Sequence, residues 1–336
     1  MLELIAAKIR AQVPTNDPWT NVYGLARSLL ALSLLLTLGL NASSDLFVGD
    51  VGAAPIGPQC STAVGRLGLF CVNDGASLEL ARWLSVIVLL VTASGWRPRI
   101  TGPAHWYIAF SFQANATTVD GGDQLAANLA LLLVPITLLD RRKSHWDPPA
   151  PVAGEGRHLV GWWCFGLIRI QVAIVYFHAA VGKFAVDEWT NGTALYYWLL
   201  HPTFGAADWL RPAIEGLLRG GTFGALLTWG VLALEFMLAA ALISSTRWRR
   251  PLLVGGLLLH AGIIVLHGLV SFGLVMFAAL ILFLHPVHAP IRRLTDFFRP
   301  RADVDRGPRT FAGRVGGSSP EIPARLNSGP AASKHR

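Results

Sequence analysis

Apolar residues run along this chain in eight long stretches, near 24–41, 79–96, 104–119, 124–140, 159–184, 222–246, 252–267 and 268–286. Each has sixteen residues or more, against the roughly 20 that a helix needs to cross a hydrocarbon core of about 30 Å. None alternates at period two, as the strands of a membrane barrel would. A spanning segment must satisfy its own backbone hydrogen bonds, so all eight are expected to be helices. The third run is the weakest, because Gln113, Asn115 and Thr117 fall in its second half. The last two meet at His267-Gly268, which requires a tight hairpin or one broken segment. Whether 268–286 crosses fully stays open. The expected fold is all-α: a polytopic membrane bundle of about eight transmembrane helices, occupying 24–290.

Charge between the runs sets the expected orientation. Lys8, Arg10 and Arg27 precede the first run, and Arg97 and Arg99 follow the second. Arg141, Arg142 and Lys143 follow the fourth, Arg247, Arg249 and Arg250 the sixth, and Arg292 and Arg293 the eighth. Intervening loops are poor in Lys and Arg, except that Arg211 and Arg219 precede the sixth run. By the positive-inside rule both termini face the cytoplasm, with eight crossings. Residues 1–23 hold a short amphipathic stretch with Lys8 and Arg10, read either as a surface helix or as a frayed turn. No cleaved signal peptide is read there. Residues 291–336 are basic and rich in Pro, Gly and Ser, and read as a disordered tail beside anionic lipid.

Composition narrows the class further. Of 336 residues, 53% are hydrophobic and only 14% charged, against about 25% charged in soluble domains. The net charge of +8 is spread over loops, so topology accounts for it and nucleic acid does not. Phosphate-loop, zinc-spacing and soluble nucleophile motifs are lacking. Cys60 and Cys71, eleven residues apart in the first outer loop, are either a disulfide or two free thiols. Cys164 reads as a small core residue.

Ionisable groups within a membrane helix are costly and mark candidate sites. The fifth run carries Arg169, Gln171, Tyr176, His178 and Lys183. Arg169, Tyr176 and Lys183 recur every seven residues and share one face, while Gln171 and His178 share a second. Two polar faces make this helix the expected centre of the bundle. Arg169 lies about eleven residues from the cytoplasmic end, and Glu235 twelve residues before Arg247. Matching depth on successive helices predicts a structural ion pair between Arg169 and Glu235. Lys183 lies about 21 Å along the helix from Arg169, near the outer end. It reads as a snorkelling lysine or, with Tyr176, His178 and Asp187, as a general base in an outer cavity. Asp120 and Asp123 are secondary polar contributors there, beside an aromatic belt of Tyr196, Tyr197 and Trp198. His260 and His267 are also seven apart. They serve hydrogen bonding between helices or, with a third ligand, metal binding. No metal site is assigned, and the cofactor is unknown.

The run 174–198, IVYFHAAVGKFAVDEWTNGTALYYW, resembles the central motif of the horizontally transferred transmembrane (HTTM) superfamily, which includes the vitamin K-dependent γ-carboxylases. The matching positions are Tyr176, Phe177, Ala179, Ala180, Lys183, Asp187, Trp189 and Gly192. By that resemblance Lys183 corresponds to the second of the carboxylases' paired lysines, the base that deprotonates reduced vitamin K. Gly182 stands in place of the first lysine, and one extra residue precedes Trp189. Within the superfamily, NVYGLARSLLALSLLLTLGLN, DGGDQLAANLALLLVPITLLDRRKSHW and YFHAAVGKFAVDEWTNGTALYYW are similar to the SdpB branch, as is the loop holding Cys60 and Cys71. The likeness spans most of 20–287. It implies a membrane factor that works with a small SdpA-like partner to mature a secreted SdpC-type peptide toxin. The other readings are a non-enzymatic peptide exporter or immunity protein, and a quinone-dependent carboxylase or oxidase.

Overall fold

The computed structural model describes residues 17–48, 57–75, 77–148 and 155–291. The amphipathic stretch expected near the N-terminus and the basic tail lie outside these residues, apart from their inner edges. Eight longer helices follow one another: α1 Asn21–Leu40, α2 Leu78–Ser94, α3 Pro98–Asn115, α4 Gly121–Leu139, α5 Glu155–Lys183, α6 Thr222–Ala240, α7 Thr246–His267 and α8 Val270–Leu284. No β-strand occurs among the described residues; one isolated bridge joins Trp96 to Ser144. Five helices, α1, α4, α5, α6 and α7, are long and apolar enough to cross a membrane, and α8 is a shorter apolar helix. Short helices at Asp187–Thr190, Ala194–Leu199 and Arg211–Leu218 form the connection between α5 and α6.

The helix ends follow local chemistry. Asp120 accepts from the Asp123 amide at 2.8 Å, and Asp123 accepts from the Asp120 amide at 3.1 Å. This reciprocal capping box starts α4 and turns both carboxylates, expected in the site, to backbone duty. At the far end of α7, Gly268 adopts φ +70° and donates to Ile264 O at 3.0 Å. Glycine reaches that left-handed cap without steric cost, so α7 and α8 form a tight antiparallel hairpin. Gly256 of α7 admits Leu280 of α8, the close approach that small residues permit between membrane helices.

α8 is the buried centre. Val275, Met276 and the whole of Ala278–Leu284 are at most 4% exposed. It packs against α1, α4, α5 and α7. The expectation that α5 would sit at the centre is corrected here. Leu167, Ile170, Ile174, Phe177 and Val181 form an exposed stripe at helical spacing on α5, which suits lipid. An all-round apolar helix buries all its faces, and α8 is that helix; the polar residues of α5 need only the inward half of its surface. The start of α1 is clasped to the segment that follows α8. Thr20 Oγ1 donates to Val287 O, and Asn21 exchanges two hydrogen bonds with the Ile291 backbone at 2.6 and 2.9 Å.

Cys60 and Cys71 form a disulfide, with Cα atoms 5.7 Å apart. Asn115, at the end of α3, donates to Gln59 O at 3.2 Å and Gly65 O at 2.8 Å, fastening the bridged loop to the bundle. The Arg211 guanidinium, an exception to the charge alternation, donates to the carbonyls of Leu200 and His201 at 3.0 and 3.3 Å. Its charge serves as a clamp on the α5–α6 connection.

A polar knot closes the end where the basic loops gather. Arg27, read from sequence as a flanking charge, is 1% exposed within α1. It donates to His145 Nδ1 at 3.0 Å and to Thr101 Oγ1 at 2.7 Å. Arginine cannot accept a hydrogen bond, so Nδ1 is the acceptor and His145 is neutral, with its Nε2–H directed at Ser28 Oγ, 3.2 Å away. Asp140 and Arg142 make a buried two-pronged pair at 2.7 and 2.9 Å, and Arg142 also donates to His145 O at 3.1 Å. Burial, then the charges of Arg27 and Arg142, push the His145 pKa down to about 2 from its ordinary 6.5.

The unfolded chain therefore takes up a proton at His145 that the folded chain refuses. The stability contributed by neutral His145 is complete above about pH 6.5 and is lost as the pH falls below it. Between pH 7 and pH 5 the loss is about 2 kcal/mol. In detergent, Tm of the wild-type protein should fall more steeply over that range than Tm of His145→Gln. Parallel slopes would refute this assignment.

Candidate functional site

A cavity of about 650 Å³ opens between α5, α6, α7, α8 and the α5–α6 connection. Its floor is buried: Tyr176 is 2% exposed, and His260 and Met276 are each 4%. Its mouth is aromatic, with Trp198 and Phe204 of the connection about half exposed. Leu195, Ile263, Leu269 and Phe272 add apolar wall. Such a space, mostly apolar with a few convergent polar groups, has the form of a ligand site.

Lys183 and Glu235 supply the charge. Lys183 stands on the last turn of α5 and donates to both carboxylate oxygens of Glu235 on α6, at 2.9 and 2.8 Å. Its third donor reaches Ala179 O at 3.1 Å. The pair is largely enclosed, with side chains 21% and 10% exposed. The ammonium also lies 5.1 Å from the Trp189 ring, within range of a cation–π attraction. One turn deeper than Ala179, Tyr176 Oη meets His260 Nε2 of α7 at 2.9 Å. His260 Nδ1 is buried without a hydrogen-bond partner. His267 Nδ1 lies 2.7 Å from Phe204 O and donates to it, since a carbonyl only accepts. This bond holds the mouth against the end of α7.

The expected ion pair between Arg169 and Glu235 does not form. Counting depth from Arg247 took the ends of α5 and α6 as level. Glu235, five residues before α6 ends at Ala240, instead meets Lys183 on the last turn of α5, so the two helices are offset along the bundle. Arg169 lines a second cavity, toward the other end of α5. The seven-residue spacing does place Tyr176 and Lys183 in one cavity. His178 is exposed and lies outside it. Five residues from Lys183 is about 140° around a helix, so His178 faces away. Asp187 is likewise exposed, in the first turn of a short helix, and outside the cavity. Gln171 is half-buried and lines neither cavity. No group of three or more His, Cys, Asp or Glu residues is placed to hold a metal ion among the described residues.

The HTTM domain family matches residues 153–287, the part that contributes nearly all of this cavity. The chain is 36% identical over 326 residues to the sporulation-delaying protein SdpB of Bacillus subtilis strain 168, covering 96% of this chain and 98% of that protein. The chain belongs to the SdpB family. It is also 39% identical over 283 residues to the uncharacterized protein YitO of the same strain, covering 82% of this chain and 89% of YitO. No solved structure matches. As a member of this family with an HTTM domain, the protein is a multi-pass membrane protein.

Sequence reasoning missed Glu235 as the partner of Lys183, and His260 as the partner of Tyr176. Ser244, Ser245 and Thr246 are N-cap residue types and mark the helix start before Arg247, but the offset that brings Glu235 to Lys183 has no local signal. Nothing in the sequence paired Tyr176 with His260, because their contact spans 84 positions.

Tyr176→Phe should strand His260 Nε2 as well as Nδ1 and cost about 1–3 kcal/mol. Adding His260→Leu should recover part of that loss, measured by unfolding of the detergent-solubilised protein. Two losses that simply add would contradict the proposed pairing.

Proposed function

We propose that this protein is a cytoplasmic-membrane factor needed to mature a secreted SdpC-type antimicrobial peptide, and that it works beside a small SdpA-like partner. In this reading all eight helices cross the bilayer, both termini are cytoplasmic, and the 650 Å³ cavity opens toward the outer leaflet. Family membership carries the pathway, since the relative matched over 98% of its length is named for delaying sporulation. The observation that carries the site is the enclosed Lys183–Glu235 pair at 2.8 Å on the family's central motif.

An acid and a base this close can share a proton. When the pair takes a further one from substrate, Lys183 and Glu235 together go from net zero to +1, and the substrate anion formed in the same cavity balances that charge until the proton returns. Glu235 thereby stands beside Lys183 in the place that sequence reading gave to His178. Tyr176 and His260, on the floor, form a second hydrogen-bonding pair for a polar group of the substrate. The aromatic mouth accepts an apolar segment of a peptide or an isoprenoid-like tail. A binding-only reading, exporter or immunity protein, draws on the same apolar walls and does not need the lysine to lose its proton.

Lys183→Ala should abolish mature peptide in the medium while the membrane protein stays at its normal level. Lys183→Arg separates the readings, because arginine keeps the charge and cannot act as a base. Maturation lost in both variants supports base chemistry; maturation retained in Lys183→Arg supports binding through charge. Normal peptide mass and yield from Lys183→Ala would overturn the assignment of this site.

A further inference from the structure

The second cavity, about 260 Å³, lies between the N-terminal half of α5, the start of α7 and the end of α8. Its walls present Arg169, Arg249, His158, His285 and His288 and, among the described residues, no carboxylate. Arginine stays charged in proteins, so two fixed positive charges and three imidazoles share one small space. Arg169 forms no ion pair with any carboxylate among the described residues, and its Nε is buried without a hydrogen-bond partner. His158 Nδ1 is buried in the same condition. A partly buried charge without a counter-charge is costly, and an unpartnered buried donor adds to that cost. The maturation site does not use this cavity: Arg169 and Lys183 are about 21 Å apart along α5.

The remaining walls define the shape of what would fit. Trp162 and Phe165 of α5 line it, and Trp162 is 37% exposed, continuous with the lipid-facing side of that helix. The space is equivalent to about eight or nine liquid waters, enough for a compact head group. Basic pockets between membrane helices accept phosphorylated head groups through charge-assisted, forked contacts from arginine. We propose that this cavity is a binding site for a phosphate-bearing anion, with Arg169 as its principal ligand. The anion is either an acidic phospholipid head group entering past Trp162 or free phosphate.

Thermal unfolding of the full chain in a non-ionic detergent tests this. One titration uses inorganic phosphate against chloride at constant ionic strength. The other uses dihexanoyl phosphatidylglycerol against dihexanoyl phosphatidylcholine. A saturable rise in Tm is expected, with half-saturation shifted at least about tenfold in Arg169→Gln. Arg169→Lys, which keeps the charge and loses the fork, should fall between them and serves if Arg169→Gln fails to fold. A rise with phosphatidylglycerol alone identifies a lipid head group, and an equal rise with phosphate identifies the anion itself. No saturable rise with either ligand, or the same half-saturation in wild type and variants, would overturn the proposal.

Discussion

A charge placed among hydrocarbon must be neutralised within the protein, and that requirement organises this bundle. Lys183 and Glu235 satisfy it across α5 and α6, two helices that lie next to each other. Tyr176 and His260 extend the same logic to neutral polar groups on α5 and α7. Because α5 ends at Lys183, its last turn is held by side-chain pairing as well as by apolar contact. The chain then turns into short helices at Asp187–Thr190 and Ala194–Leu199, which give Trp189, Leu195 and Trp198 to the cavity wall. A site with a polar floor and an aromatic mouth results from where those few charges were permitted to sit.

The polarity of the bundle is divided by location and by function. Arg27, Thr101, Asp140, Arg142 and His145 form one buried network at the end bearing the basic loops. The hydrogen bonds described for that network are all internal, and they join α1, α3 and the loop after α4. The two cavities, by contrast, place their polar groups beside open space. Lys183 is matched by a carboxylate, whereas the described walls of the Arg169 cavity hold two arginines and no carboxylate. One helix therefore presents two chemically different surfaces separated by two heptads.

Much of the fold was legible because the bilayer makes helix positions readable. The apolar runs correspond to the eight longer helices within a few residues, and the glycine at 268 marked the hairpin. Lys183 and Tyr176 were legible as a pair because period seven is a local property of one helix. Their partners were not. Glu235 and His260 depend on how far α6 and α7 slide relative to α5, and residue counting from a loop arginine took the helix ends as level. The central place of α8 was missed for a different reason. Polar residues attract notice in a membrane sequence, yet an all-apolar helix is the one that gives no outer face away.

The central claim is that Lys183 and Glu235 act as one enclosed pair rather than as two independent charges. A double-mutant cycle with Lys183→Met, Glu235→Leu and the combined variant, followed by unfolding in a single detergent, measures this directly. Each single change strands a partly enclosed charge and should cost about 3–5 kcal/mol. The combined change should cost at least about 1.5 kcal/mol less than the sum of the two. Additive losses would contradict the pairing and the reading of the site built on it.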